Sequence, residues 1–182
     1  DYSHVMILGG SKSANDDDAQ IIQELDFIRE VIALNKPLFG VCLGMQLLAK
    51  AVGGEVVRCE KGEIGFRNYN NFITVHDKIF RGLNRNTFRI FQLHNDCVLP
   101  SEHYEVICRG SECEVQMIRH KDKFYGIQGH IEIEEHKLLE WLHEEPLLAH
   151  LNKDDVMGEY RRLRDELHHS AQVIFTNFLE LR

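Results

Sequence analysis

The sequence predicts an α/β domain of three layers: a mainly parallel central sheet, helices on both faces, and a small antiparallel section. Two observations carry this. The first fifty residues alternate short apolar runs of strand length with helix-period patterns, the signature of strand–helix–strand units. From roughly Glu55 to Ile118, by contrast, short strands follow one another without helical patterns between them, which implies antiparallel pairing.

Val5-Met6-Ile7-Leu8 is the first apolar strand, and it runs into Gly9-Gly10-Ser11-Lys12-Ser13. Such a turn exposes backbone N–H groups and can cradle an anion beside the C-terminal edge of a sheet, although an ordinary strand-to-loop glycine pair reads the same way. Asn15-Asp16-Asp17-Asp18 precede a helical pattern at Ile21, Ile22, Leu25, Ile28 and Ile32. Acids at that end complement the helix dipole, so they are read as a cap and not as a metal site. Asn35-Lys36-Pro37 ends the helix.

Leu38, Phe39 and Val41 then end a buried strand, and Met45, Leu47, Leu48, Ala49 and Val52 open a buried helix. Between them stands Gly40-Val41-Cys42-Leu43-Gly44. A residue at so sharp a strand-to-helix turn is forced into a strained backbone, and small neighbours let the chains pack closely enough to permit it. The hydrolase form of this turn is Gly-x-Ser-x-Gly; here Cys42 occupies the nucleophile position. The helix N-terminus favours the thiolate, the reactive form, and the backbone N–H of Leu43 faces any oxyanion formed by attack of Cys42. Taken alone, the motif also fits a buried structural cysteine.

Gly53-Gly54 ends that segment, Glu55-Val56-Val57-Arg58 resumes as strand, and Lys61-Gly62-Glu63-Ile64-Gly65 reads as a loop. Phe72 to Val75 and Phe88 to Phe91 read as strands separated by a turn-rich stretch. Gln92-Leu93-His94-Asn95-Asp96 is a polar cluster closing a strand, in which His94 reads more simply as a satisfied histidine than as a substrate contact. Tyr104 to Ile107 and Glu114 to Ile118 form a two-stranded piece turning at Gly110 and Ser111. In Phe124 to Glu132, extended backbone puts Gln128, His130 and Glu132 on one face. An imidazole beside a carboxylate is the base-plus-orienter pair that a thiol nucleophile needs, although a solvated polar face reads alike in a chain with 11 histidines. The remainder is helical: Lys137 to Glu144, broken at Pro146, and Asp154 to Leu181 as a long amphipathic helix across the sheet.

A chain of 182 residues with 43% hydrophobic and 27% charged residues is one domain with a full core. The net charge of −8 argues against a nucleic-acid partner. No stretch reaches membrane-span length and no signal-peptide pattern opens the chain. The five cysteines lack paired spacing, which argues against a zinc or disulfide framework and for a reducing, cytoplasmic setting. The histidines do not fall at ligand spacing, so neither a metal nor another cofactor is expected.

Three stretches together resemble the class I glutamine amidotransferases: Gly40-Val41-Cys42-Leu43-Gly44-Met45-Gln46 at the elbow, Gln128-Gly129-His130-Ile131-Glu132 downstream, and Gly9-Gly10 before them. Glu63-Ile64-Gly65, Ile79 to Leu83 and His94-Asn95-Asp96 are weaker matches in the same order. The resemblance implies a flavodoxin-like fold over residues 1–182 as one glutamine amidotransferase domain. It implies Cys42 as nucleophile, His130 as base and then acid, and Glu132 as its orienter. Backbone N–H groups of Gly10 and Leu43 would form the oxyanion hole. Gln46 and the backbone of Leu93, Asn95 and Asp96 would hold the substrate's amino-acid end. Glutamine would be hydrolysed through a γ-glutamyl thioester, with ammonia passed to a synthase partner of the guanylate-synthase type or to a stand-alone pathway. A γ-glutamyl peptide or amide hydrolase with the same triad, and a silent regulatory or binding protein, are the alternatives. The sequence departs from the family at Ile131, where proline is usual and presets the backbone. It also lacks the strand–helix–strand unit that precedes the glycine loop in the family. An exposed sheet edge around Val5 to Leu8 is therefore expected, open to pairing with another copy.

Overall fold

The computed structural model describes residues 2–66, 71–83 and 86–182. Residues 84 and 85 of the turn-rich stretch lie outside the described residues.

The first expected unit forms as read. Strand β1 (Val5–Ile7) leads to helix α1 (Ala19–Ala33), strand β2 (Leu38–Val41) and helix α2 (Leu43–Ala51). Asp18 caps α1, its carboxylate accepting from the backbone N–H groups of Gln20 and Ile21 at 2.9 and 3.0 Å. Asn35, with φ 52°, stops that helix before Pro37.

After α2 come β3 (Val56–Gly65), β4 (Asn71–Ile73), β5 (Thr87–Phe88), β6 (Gln92–Val98), β7 (Glu105–Arg109), β8 (Val115–His120) and β9 (Phe124–Ile127). Helix α3 (Glu135–Glu144), a 3-10 turn at Pro146–Leu148 and helix α4 (Lys153–Leu179) complete the chain. Among the described residues no helix is long and apolar enough to cross a membrane.

The main sheet has the order β1-β2-β9-β8-β7-β4-β5. β1, β2 and β9 run parallel, and every ladder from β9 outward to β5 is antiparallel. The antiparallel section is thus larger than the sequence suggests. A parallel neighbour needs a crossover long enough to carry a helix, and between α2 and α3 the described residues supply none. The stretch Lys61 to Gly65, read as a loop, is the second half of β3; it pairs antiparallel with β6 in a separate two-stranded sheet, with an irregularity between Arg58 and Glu63. Among the described residues β1 is the last strand on that side of the main sheet, and Met6 there and Leu8 just beyond it are exposed.

Alternation along β2 and β9 divides the core into two. Leu38 and Phe124 face α1 and α2; Phe39, Val41, Tyr125 and Ile127 face the C-terminal half of α4. Phe39 meets the rings of Phe175 and Phe178 edge-on, both at 5.4 Å. Asn177 of α4 donates to the carbonyls of Ile79 and Arg81 at 2.9 and 2.8 Å, which ties the helix to that segment. A third apolar cluster joins α3 and the N-terminal half of α4 to Phe66 and Phe91. The helices on both faces are therefore held by apolar burial, and the loops at the C-terminal ends of β1, β2 and β9 gather at one rim.

The cysteine reading needs correction. Cys59 and Cys97 form a disulfide between β3 and β6, with Cα atoms 5.7 Å apart, and Cys113 lies beside it. Spacing along the chain does not reveal this, because the two cysteines meet only through the antiparallel register of two strands, one of which reads as half loop.

Candidate active site

β2 delivers Cys42 to the rim in the strained turn its glycines imply. Its φ and ψ are 51° and −110°, outside the regions ordinary residues prefer. Two close approaches hold it there. A Cβ on Gly40 would stand 2.4 Å from the carbonyl of Gly44, and one on Gly44 would stand 2.2 Å from the carbonyl oxygen of Ile7 in β1. The Cys42 N–H donates to the Ile127 carbonyl at 2.8 Å, which fastens the turn to β9.

β9 ends at Ile127, and the Gln128 N–H then donates to the Gln116 carbonyl at 2.9 Å. Phe91 and His130 exchange backbone hydrogen bonds of 3.2 and 2.7 Å, so His130 is fixed by its main chain as well as its ring. The ring is buried and interacts with the Cys42 sulfur. Its Nδ1 donates to Glu132 Oε1 at 2.7 Å, which leaves Nε2 for the thiol. Burial opposes the imidazolium, but the hydrogen bonds and charges of Cys42 and Glu132 outweigh it and raise His130 to about 10. Ile131, in the place of the family's proline, is 1% exposed and packs into the core on the α4 side. Packing therefore fixes the backbone between His130 and Glu132, and the contact survives without the ring of a proline.

The cleft over these groups has a volume of about 590 Å³. Every residue singled out from the sequence lines it: Cys42, His130 and Glu132; Gly10 and Leu43; Gln46, Leu93, Asn95 and Asp96. Gly10 and Leu43 are neighbours, since a Cβ on Gly10 would lie 3.0 Å from Leu43 Cδ2. Leu43 is the first residue of α2, so its N–H has no partner within the helix. The Leu93 carbonyl lies 3.9 Å from the Cys42 sulfur. Gln46 is buried and donates to the Asp96 carbonyl at 3.1 Å and to Gln128 Oε1 at 3.4 Å. Asp96 accepts from the Ser13 hydroxyl at 2.7 Å and lies 3.4 Å from Arg58, which joins the glycine loop to β6.

His94 is the satisfied histidine that its context suggests. Its Nδ1 meets the Asp96 carbonyl and its Nε2 meets Glu63, both at 3.0 Å. Glu63 itself is buried and accepts from Gln116 Nε2 at 2.6 Å and the Cys113 N–H at 3.0 Å. This buried network under β6 is missed from sequence, because reading Lys61 to Gly65 as a loop removes the register that pairs Glu63 with His94.

A second missed group is Trp141 of α3. The sequence reading counts it among the helix's apolar residues. Its indole stands 4.8 Å from the His130 ring at 74°, an edge-on contact, and it lines the cleft. The one available signal is that this is the single tryptophan, one helical stretch after the His130 motif.

Comparison with known proteins agrees with the geometry. The family model "Glutamine amidotransferase class-I" matches residues 1–139. One of the subunits of the glutamine-hydrolysing GMP synthase of Methanothermobacter thermautotrophicus is 38% identical over 133 residues, which cover 70% of this chain and 64% of that protein. Gamma-glutamyl peptidase 4 of Arabidopsis thaliana is 33% identical over 135 residues, covering 72% of this chain and 54% of that protein. The chain thus spans less than two thirds of the length of either. The crystal structure of a glutamine amidotransferase from Thermotoga maritima superposes with a TM-score of 0.89 at 26% identity, covering 99% of this chain and 79% of that one. With its elbow cysteine, its buried histidine–glutamate pair and this match over most of its length, the chain belongs to the class I glutamine amidotransferase family.

Proposed function

We propose that this protein hydrolyses the side-chain amide of glutamine, with Cys42, His130 and Glu132 as its catalytic triad. The observation that carries the reading is geometric: His130 is buried beside the Cys42 turn, whose backbone is strained, and bonds the Glu132 carboxylate at 2.7 Å. His130 takes the thiol proton, and Cys42 attacks the amide carbon as thiolate. The backbone N–H groups of Leu43 and Gly10 receive the oxyanion. His130 gives its proton to the departing nitrogen, and ammonia leaves a γ-glutamyl thioester. Water, deprotonated by His130, then attacks the thioester and releases glutamate and the Cys42 thiolate. Throughout, Glu132 keeps Nε2 turned to the reacting atoms. Gln46 and the Leu93 to Asp96 segment hold the amino-acid end of the substrate. The relationship to a component of a GMP synthase supports a synthase partner that consumes the ammonia.

The test is release of ammonia and glutamate in equal amounts from glutamine by the purified protein, alone and with candidate synthase partners. Cys42→Ala abolishes it. Equal activity in the alanine variant rejects the assignment.

A second reading keeps the triad and changes the leaving group to the amine of a γ-glutamyl peptide. The similarity to a gamma-glutamyl peptidase supports it, as does the extension of the cleft past His130 to Lys137 and Leu147. Relative kcat/KM for glutamine and for γ-glutamyl dipeptides separates the two readings, since only the second gives the dipeptides the higher value.

A further inference from the structure

Three sulfurs lie together behind the cleft wall. The Cys59–Cys97 disulfide joins β3 to β6, and the free thiol of Cys113, in the turn between β7 and β8, brings all three Sγ atoms within 4.8 Å of one another. The ladder that the disulfide joins has two strands, and such a ladder is marginal without further support.

The position of the bond gives it reach. Cys59 follows Arg58 and Cys97 follows Asp96, and Arg58 and Asp96 face each other in register and form an ion pair. Asp96 binds the Ser13 hydroxyl through its carboxylate and Gln46 through its carbonyl. On the other side, the Cys113 N–H donates to Glu63, and Glu63 holds His94. The Cys59–Cys97 bond and the Cys113 backbone therefore brace the Leu93 to Asp96 wall from two directions. The nucleophile and base stand on β2 and after β9, in the other sheet.

We propose that Cys59 and Cys97 form a reversible redox modification site that positions the Leu93–Asp96 wall of the cleft. Cys59 and Cys97 are half-buried and within reach of small thiols. In reduction, a glutathione thiolate attacks one sulfur and the Cys59–Cys97 bond breaks to a mixed disulfide. A second glutathione thiolate then attacks the bound glutathione sulfur and leaves with it as glutathione disulfide. Two electrons and two protons pass to Cys59 and Cys97. In oxidation, glutathione disulfide takes both back and leaves as two glutathione thiols. Cys113 does not compete, because burial, reinforced by Glu63, pushes its thiol up to about 12 and keeps it protonated.

The site goes beyond the proposed hydrolysis and is tested by three measurements across glutathione buffers of different poise. Alkylation under denaturing conditions should modify three cysteines in the oxidised protein and all five in the reduced one. Amide exchange of residues 92–98 should quicken about 10-fold on reduction. KM for glutamine should rise about 3- to 10-fold, with kcat unchanged. The double variant Cys59→Ser/Cys97→Ser should behave as reduced protein in every buffer, and Cys113→Ser should keep the response. Five modifiable cysteines in glutathione disulfide overturn the proposal. So does identical exchange of residues 92–98 at both poises, or retention of one equivalent of zinc by the reduced protein, which would make the three sulfurs a metal site. Mass and exchange read the sulfurs alone. A protein that shows both changes but does not hydrolyse glutamine rejects the proposed function and keeps the modification site.

Discussion

Replacing Glu132 by glutamine removes the charge facing His130 Nδ1 and keeps an oxygen that can accept its hydrogen bond. In the native protein His130 stands at about 10 against an ordinary 6.5. That difference, 10 − 6.5, is worth about 5 kcal/mol at about 1.36 kcal/mol per pH unit. It survives burial, which works the other way, through the Cys42 sulfur first and the Glu132 carboxylate second. Losing the Glu132 charge should therefore lower His130 by about 1 to 2 pH units, or about 1 to 3 kcal/mol. NMR titration of the ring, assigned by its absence in His130→Gln, measures this directly. Stability supplies a second reading. A histidine raised on folding stabilises the native state fully below its unfolded value near 6.5, and the contribution disappears as pH climbs to about 10. In Glu132→Gln the deficit seen by urea unfolding should be largest near pH 6 and close by about pH 10. Glutamine hydrolysis should fall about 10- to 100-fold. An unmoved His130 titration, or a stability deficit that does not shrink with rising pH, would show that the Glu132 charge does not hold the imidazolium.

Other perturbations test the turn and its neighbours. Cys42→Gly and Cys42→Ala should both abolish hydrolysis, but because φ is 51° there, the glycine variant should be the more stable by about 1 kcal/mol in urea unfolding. The opposite order would mean that the turn stores no strain. Gly44→Ala drives a methyl to 2.2 Å from the Ile7 carbonyl oxygen and should lower stability by more than about 2 kcal/mol. A drop under about 0.5 kcal/mol would show that β1 and α2 do not press on each other at this point. Trp141→Ala removes the ring against His130 and should lower kcat/KM about 3- to 10-fold, with Trp141→Phe near the native value. Equal values for all three proteins would leave the indole a packing residue only.

The parts of the molecule legible in the sequence are those whose signal is local. Asp18 as a cap, the stop at Asn35, the elbow at Cys42 and the period of α4 each depend on residues a turn or two apart. The candidate site was legible for the same reason, since Cys42 and the His130–Glu132 pair each sit in a short motif. What stayed hidden depends on register between distant strands. Glu63 opposite His94, and Cys59 joined to Cys97, exist only because β3 and β6 pair across a bulge. Trp141 meets His130 only because α3 folds back over the rim, and an amphipathic pattern tells which face is buried but not which side chain waits there.

The place of β9 between β2 and β8 also governs how the molecule is made. As the chain leaves the ribosome, β1 and β2 can zip together early, yet the far side of β2 stays unpaired until residues 124–127 emerge. Through that interval an apolar strand is open to mispairing, and slow translation lengthens the hazard. The same delay confers safety. On the proposed triad, the thiol at residue 42 has no imidazole to activate it until residues 124–132 have emerged, so a chain that ends before them cannot carry out the chemistry.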